Sequence, residues 1–184
     1  TMYPPGYQTW VDVEQVSLPL EGARRPGHFR GVTTVVSKLF NAVQPQKAYF
    51  GQKDAQQAAV IKQMTRDLNY PVEIVVCPIV REPDGLAMSS RNVYLTPEQR
   101  KAAPVLHRAL LAAKAAHSKG ELSAARLRQA MKHVLGAEPL AQVQYVSCAD
   151  YETLQELEQV TSKALLSMAV HFGQTRLIDN VTLE

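Results

Sequence analysis

The chain has 184 residues, 46% of them hydrophobic and 20% charged, and carries a net charge of +3. That balance excludes a disordered or collagen-like chain, and the charge is too small and too scattered for an electrostatic nucleic-acid binder. No apolar run approaches the roughly 20 residues of a membrane helix; the longest, residues 164–172, contains Ser167.

Along the chain, Tyr3-Pro4-Pro5-Gly6 reads as a turn. Thr9–Val13 alternates weakly and predicts a strand, and Pro19–Gly27 is rich in turn residues. Val32, Val35, Val36, Leu39, Phe40 and Val43 fall at helical spacing, predicting a helix with one apolar face that ends at Gln44-Pro45. Lys47–Phe50 predicts a short strand, followed by the polar turn Gly51–Asp54. A helix then runs through Leu68, with Ala58, Ile61, Met64, Thr65 and Leu68 on one face, and Val72–Cys77 is a Val/Ile-rich strand. Strand, turn, helix and strand in that order make a βαβ unit and imply a parallel sheet. Arg81–Asn92 is polar and contains the turn Pro83-Asp84-Gly85. Thr96-Pro97-Glu98 opens a helix to about His117, and a second helix from Leu122 or Ser123 stops at Gly136. Val143–Cys148, Ala164–Phe172 and Thr175–Leu183 read as antiparallel strands, the last two joined by a hairpin at Gly173-Gln174. The second half is therefore α+β, and the composition shift over residues 92–96 predicts two domains, 1–92 and 93–184.

Three segments can carry chemistry. In Gly51-Gln52-Lys53-Asp54, the turn between a parallel strand and its helix lies at the sheet edge where doubly wound folds bind ligands. Gly51 lets backbone approach a ligand, Lys53 supplies a cation for phosphate, Asp54 can accept from ribose hydroxyls, and Gln57 shares their helical face. The plain alternative is that Asp54 only caps the helix and Lys53 is solvated. In Met88-Ser89-Ser90-Arg91, two hydroxyls and a guanidinium form an anion-binding set, or an ordinary interdomain loop. Arg24-Arg25-Pro26-Gly27-His28-Phe29-Arg30-Gly31 is a basic turn, with His28 as an anion contact or a structural hydrogen bonder. The remaining histidines show no metal-ligand spacing, and no P-loop, GxGxxG, nucleophile elbow or CxxC occurs. Cys77 and Cys148 read as buried free thiols, and the expected location is reducing and cytoplasmic.

Taken together, Met2–Gly6, Leu20-Glu21-Gly22, Arg25–Val32, Lys38-Leu39-Phe40, Phe50–Asp54, Gln56-Gln57 and Arg81–Asn92 resemble the pantothenate synthetase (pantoate–β-alanine ligase) family, in order and over essentially the whole chain. The resemblance implies a partial Rossmann-like nucleotidylyl-transferase domain followed by a small α+β C-terminal domain. It implies an AMP-forming ligase: ATP activates pantoate as an acyl adenylate, and β-alanine then displaces AMP. By resemblance, Gly51, Gln52, Lys53, Asp54, Val80, Met88, Ser89, Ser90 and Arg91 bind ATP, with Val80 touching the adenine. Gln57 binds pantoate, and Lys53, Ser89, Ser90 and Arg91 carry the catalytic charge stabilisation. Mg2+ accompanies the nucleotide without a protein metal site, and a homodimer is expected. The family's first segment, with a HIGH-like motif and a second pantoate-binding glutamine, has no counterpart in this sequence. The expectation is a fragment that is inactive alone and exposes a sheet edge and an apolar face. Another adenylyl or cytidylyl transferase, or a non-catalytic nucleotide-binding module, stays open as an alternative.

Overall fold

A computed structural model describes residues 2–184. The βαβ unit forms as its periodicity dictates: β1 (Lys47–Gly51), a single 3-10 turn (Gln52–Asp54), α3 (Ala55–Asp67) and β2 (Glu73–Cys77). The helices before it are the short α1 (Glu21–Arg24) and α2 (His28–Val43). β1 and β2 pair in parallel, with Tyr49 opposite Val75 and Gly51 opposite Cys77. Ala58, Val60, Ile61 and Met64 of α3 are buried, so this helix supplies much of the local core. Leu68, counted on that face by spacing, falls just past the helix end and is half exposed. The sheet has two strands, with Tyr49 65% exposed and Ile74, Val75 and Val76 half-buried.

Two expectations for this region fail together. Residues 9–13 form no strand, and α2 does not bury its valine stripe. Its buried residues are Phe29, Thr33, Thr34, Ser37 and Phe40, while Val43 is 67% exposed. The reason lies in the threonines. Val11 N–H donates to Thr34 Oγ1 at 3.0 Å, and Thr33 Oγ1 donates to Val11 O at 2.6 Å. The extended segment finds its backbone partners on a helix face instead of a sheet, and this rotates the hydroxyl face inward. Ser37 adds a 2.6 Å hydrogen bond to the Tyr70 hydroxyl on the same face.

In the second half, Thr96 closes a capping box with Gln99 at the start of α4 (Pro97–Ala102). The single helix expected to His117 is broken. Pro104 has no N–H for a continuing helix and clashes with the preceding turn, so a new helix, α5 (Val105–Ser118), starts after it. α6 (Ala124–Gly136) follows, capped by Ser123. β3 (Gln142–Asp150), β4 (Ala164–Phe172) and β5 (Thr175–Leu183) make an antiparallel sheet in the order β3-β4-β5. The hairpin closes at Gly173-Gln174, with Gly173 at φ +58° and Phe172 opposite Thr175. Leu166, Met168, Val170 and Phe172 on one face of β4 pack with Leu106 and Leu110 of α5 and Leu127, Met131 and Leu135 of α6 in one core.

The chain divides into two compact units, the first ending at Cys77 and the second beginning at Pro78. The sequence boundary at 92/93 therefore lies fifteen residues further along than the packing boundary. Residues 78–92 join the second unit because Leu86 enters its core and Arg81 pairs with Asp179 of β5. Among the described residues, no helix is long and apolar enough to cross a membrane.

Candidate functional site

In the first unit the candidate residues sit where β1 turns into α3. Gly51 ends the strand exposed, with open space where a side chain would stand. Asp54 occupies the N-cap position of α3, but its carboxylate makes no capping hydrogen bond. The capping alternative is thus not realised, and an exposed acceptor stands at the head of a thirteen-residue helix. Gln52 and Lys53 are half-buried. Gln57 is half-buried one turn into α3.

Its neighbour Gln56 points the other way and is 4% exposed. Its amide oxygen accepts from Glu21 N–H at 2.8 Å, and its amide nitrogen donates to Val16 O at 3.0 Å and Pro19 O at 2.8 Å. One side chain therefore ties residues 16–21 to α3, leaving Gln57 as the outward member of the pair. The sequence gives the pair but not the division of labour, because adjacent helical positions differ by about 100° and only packing says which faces in.

In the second unit the loop 80–92 is a tight hairpin followed by a short 3-10 segment. Arg81 and Ala87 bridge antiparallel, Glu82 N–H donates to Leu86 O at 2.8 Å, and Met88 N–H donates to Val80 O at 2.9 Å. Gly85, at φ +91°, forms the tip, and a side chain there would overlap the ring of His107 from α5. Asp84 accepts from Leu86 N–H at 3.2 Å and forms an ion pair with Arg100 of α4. The hydrogen bond from Arg100 holds the Asp84 carboxyl below its ordinary range.

The Met88–Arg91 stretch is closed by its own polar groups. Arg91 N–H donates to Ser89 Oγ at 3.2 Å, Asn92 N–H donates to Ser89 O at 3.0 Å, and Asn92 Nδ2 donates to Ala87 O at 3.1 Å. The frame is fixed while Met88, Ser90 and Arg91 are displayed to solvent. Among the described residues, Arg91 has no carboxylate partner, which leaves its guanidinium available to an anion. Val80, at the base of the hairpin, is also exposed.

The basic turn of the first unit shows less. Arg24, Arg25 and Arg30 are exposed, Arg30 rests over the Trp10 ring at 5.1 Å, and Phe29 anchors the segment in the core. Of the thiols, Cys148 is buried as expected and pushed up to about 11 by desolvation, whereas Cys77 is only half-buried. Burial, followed by the nearby Arg81 charge, pulls His107 below the ordinary imidazole value. Among the described residues, no group of three or more His, Cys, Asp or Glu could hold a metal ion. Arg81, Asn92 and Asp179 support the loop without any motif of their own, and Asp179 lies 98 positions from Arg81.

A family model described as pantoate-beta-alanine ligase matches residues 1–182. The pantothenate synthetase of Roseiflexus sp. is 64% identical over 183 residues, a match covering 100% of this chain and 66% of that protein. That of Moorella thermoacetica is 59% identical over 183 residues, covering 100% of this chain and 65% of that protein. Among solved structures, the pantothenate synthetase of Thermus thermophilus superposes with a TM-score of 0.94 at 51% identity, over 98% of this chain and 65% of that one. The pantoate-beta-alanine ligase of Francisella tularensis, complexed with beta-gamma ATP and beta-alanine, gives 0.70 at 32% identity over 98% and 60%. The chain thus spans somewhat less than two thirds of the length of the curated relatives it matches. It belongs to the pantoate–β-alanine ligase family.

Proposed function

We propose that this chain carries the nucleotide-handling and part of the pantoate-handling residues of an ATP-dependent ligase that joins pantoate to β-alanine. The observation that carries this reading is the 88–92 loop: a frame locked by Asn92 and Ser89, with Ser90 and the unpaired Arg91 turned outward. That arrangement suits the oxygens of a polyphosphate. The open space at Gly51 and the uncapped head of α3 suit close approach of a nucleotide. The relative solved with beta-gamma ATP and beta-alanine supports both as ligands.

The reaction proceeds in two displacements. A carboxylate oxygen of pantoate attacks the α-phosphorus of ATP, and pyrophosphate leaves with the electron pair of the broken P–O bond. The amine of β-alanine then attacks the acyl carbon, AMP departs, the nitrogen loses a proton and an amide remains. Lys53, Ser89, Ser90 and Arg91 stabilise negative charge as it builds on the α-phosphate and the leaving pyrophosphate. Gly51, Gln52, Asp54, Val80 and Met88 orient the nucleotide, and Gln57 hydrogen-bonds pantoate. No protein nucleophile is required, because holding the two reactants in line supplies the advantage. In this reading a magnesium ion comes with the nucleotide phosphates, and no step is assigned to it. A cytoplasmic homodimer is part of the same reading, as is a division into functional domains at 92/93.

A chimaera tests the reading: these 184 residues replace the matching portion of the Roseiflexus enzyme, and AMP and pantothenate are quantified. The expected result is equimolar AMP and pantothenate, dependent on pantoate and β-alanine. Lys53→Ala or Arg91→Ala lowers kcat by about 10²–10³. A folded chimaera that is inert, or that releases AMP with a different acid, overturns the proposal. The 184 residues assayed alone, spanning 66% of that relative's length, are expected to give pantothenate far more slowly than the chimaera.

A further inference from the structure

Asp179 is 2% exposed on β5, opposite Met168 of β4. Its carboxylate receives the full fork of Arg81: Nη1 donates to Oδ2 at 2.7 Å and Nη2 to Oδ1 at 2.9 Å. Oδ1 also accepts from Asn180 N–H at 2.8 Å, which fixes the carboxylate itself. Arg81 Nη1 donates a further bond to Gly85 O at 3.0 Å, so the guanidinium reaches the hairpin tip while its own backbone bridges Ala87. The tip lies against His107, and Ala87 O receives Asn92, whose N–H closes the Ser89 turn. An unbroken series of contacts runs from β5 through Arg81 and the hairpin to the residues that display Arg91.

A buried ion pair is a poor stabiliser, since desolvating both charges offsets most of their attraction and an apolar pair often does better. The fork geometry gives a fixed distance and angle instead. We propose that Asp179 is a positioning residue, acting through Arg81 to set the 80–92 loop in the conformation that receives its ligand. This rests on the reading of that loop as an ATP-binding element.

Three variants of the 184-residue chain test it: Asp179→Asn, Arg81→Lys and the paired Arg81→Met/Asp179→Leu, which removes both charges and retains a packed core. Amide hydrogen exchange is followed at Glu82, Gly85, Met88 and Asn92, all hydrogen-bonded in the loop, with the amides of β4 as the internal reference. The positioning role requires the loop amides of every folded variant to exchange about tenfold faster or more while the β4 amides stay unchanged. Titration with ATP then shows weaker binding in the same variants. Loop protection that is unchanged in the folded paired variant overturns the proposal, and so does protection lost equally from loop and β4, which marks a general stability role. Wild-type protein that does not bind ATP counts against the ATP reading, and the exchange comparison still decides whether Asp179 positions the loop.

Discussion

Replacing Gln56 by alanine should unfasten the segment 16–21 from α3. The side chain is almost fully buried and makes three hydrogen bonds, one accepted from Glu21 N–H and two donated to Val16 O and Pro19 O. Each buried backbone group left without its partner costs about 1–3 kcal/mol, less whatever water recovers. Residues 18–20 are partly open to solvent, so the carbonyl of Pro19 is rehydrated readily, whereas Val16 and Glu21 are buried. The net cost is about 3 kcal/mol. Gln56→Glu should be as damaging, since its carboxylate keeps the Glu21 bond but faces two carbonyl oxygens. Gln57→Ala, by contrast, should fall within about 0.5 kcal/mol of the wild type. The assay is urea unfolding followed by fluorescence of Trp10, the single tryptophan, which lies in the first unit. A Gln56→Ala midpoint equivalent to less than about 0.5 kcal/mol of destabilisation would refute the assignment of this residue as a tie.

Three further outcomes follow from the geometry. Gly85→Ala forces a side chain into a φ of +91° and into the His107 ring; calorimetric unfolding should register a loss of about 2–4 kcal/mol from the combined backbone strain and overpacking. Because burial lowers the His107 value below its ordinary 6.5, the unfolded chain takes up a proton on acidification before the folded chain does. Its contribution to stability is therefore flat above about pH 7, falls as pH drops below 6.5, and levels off once the lowered folded value is passed. The difference between wild type and His107→Gln in unfolding midpoint against pH should show that step; a constant difference would contradict it. Alkylation by iodoacetamide in the native state should label Cys77 and spare Cys148, whose thiol is buried and shifted to about 11; labelling of Cys148 at a matching rate would contradict this.

The sheet-forming segments are legible in the sequence because their signals are local. The Val/Ile run of β2, the polar turn after β1 and the Gly173 hairpin each announce themselves within a few residues. The burial of α2 is not legible, because the threonine face wins through bonds to residues 9–13, more than twenty positions away, while the valine stripe offers only a local pattern. The break at Pro104 is written in the chain, yet the apolar spacing across it continues in phase and masks it. Motif residues displayed to solvent, such as Ser90 and Arg91, stand out by type and order. Their supports do not: Arg81 and Asp179 meet only through tertiary folding, and Gln56 differs from Gln57 solely in the direction it faces.

The proposed function gives nucleotide-binding residues to the β1–α3 turn of the first unit and, separately, to the 88–92 loop of the second. Calorimetric titration of the folded 184-residue chain with Mg-ATP, beside Lys53→Ala and Arg91→Ala, tests it most directly. Saturable binding is expected, weakened about tenfold or more in each variant, since each removes a charge-assisted contact to phosphate. Absence of binding at millimolar ATP, or binding that both variants leave unchanged, would contradict it.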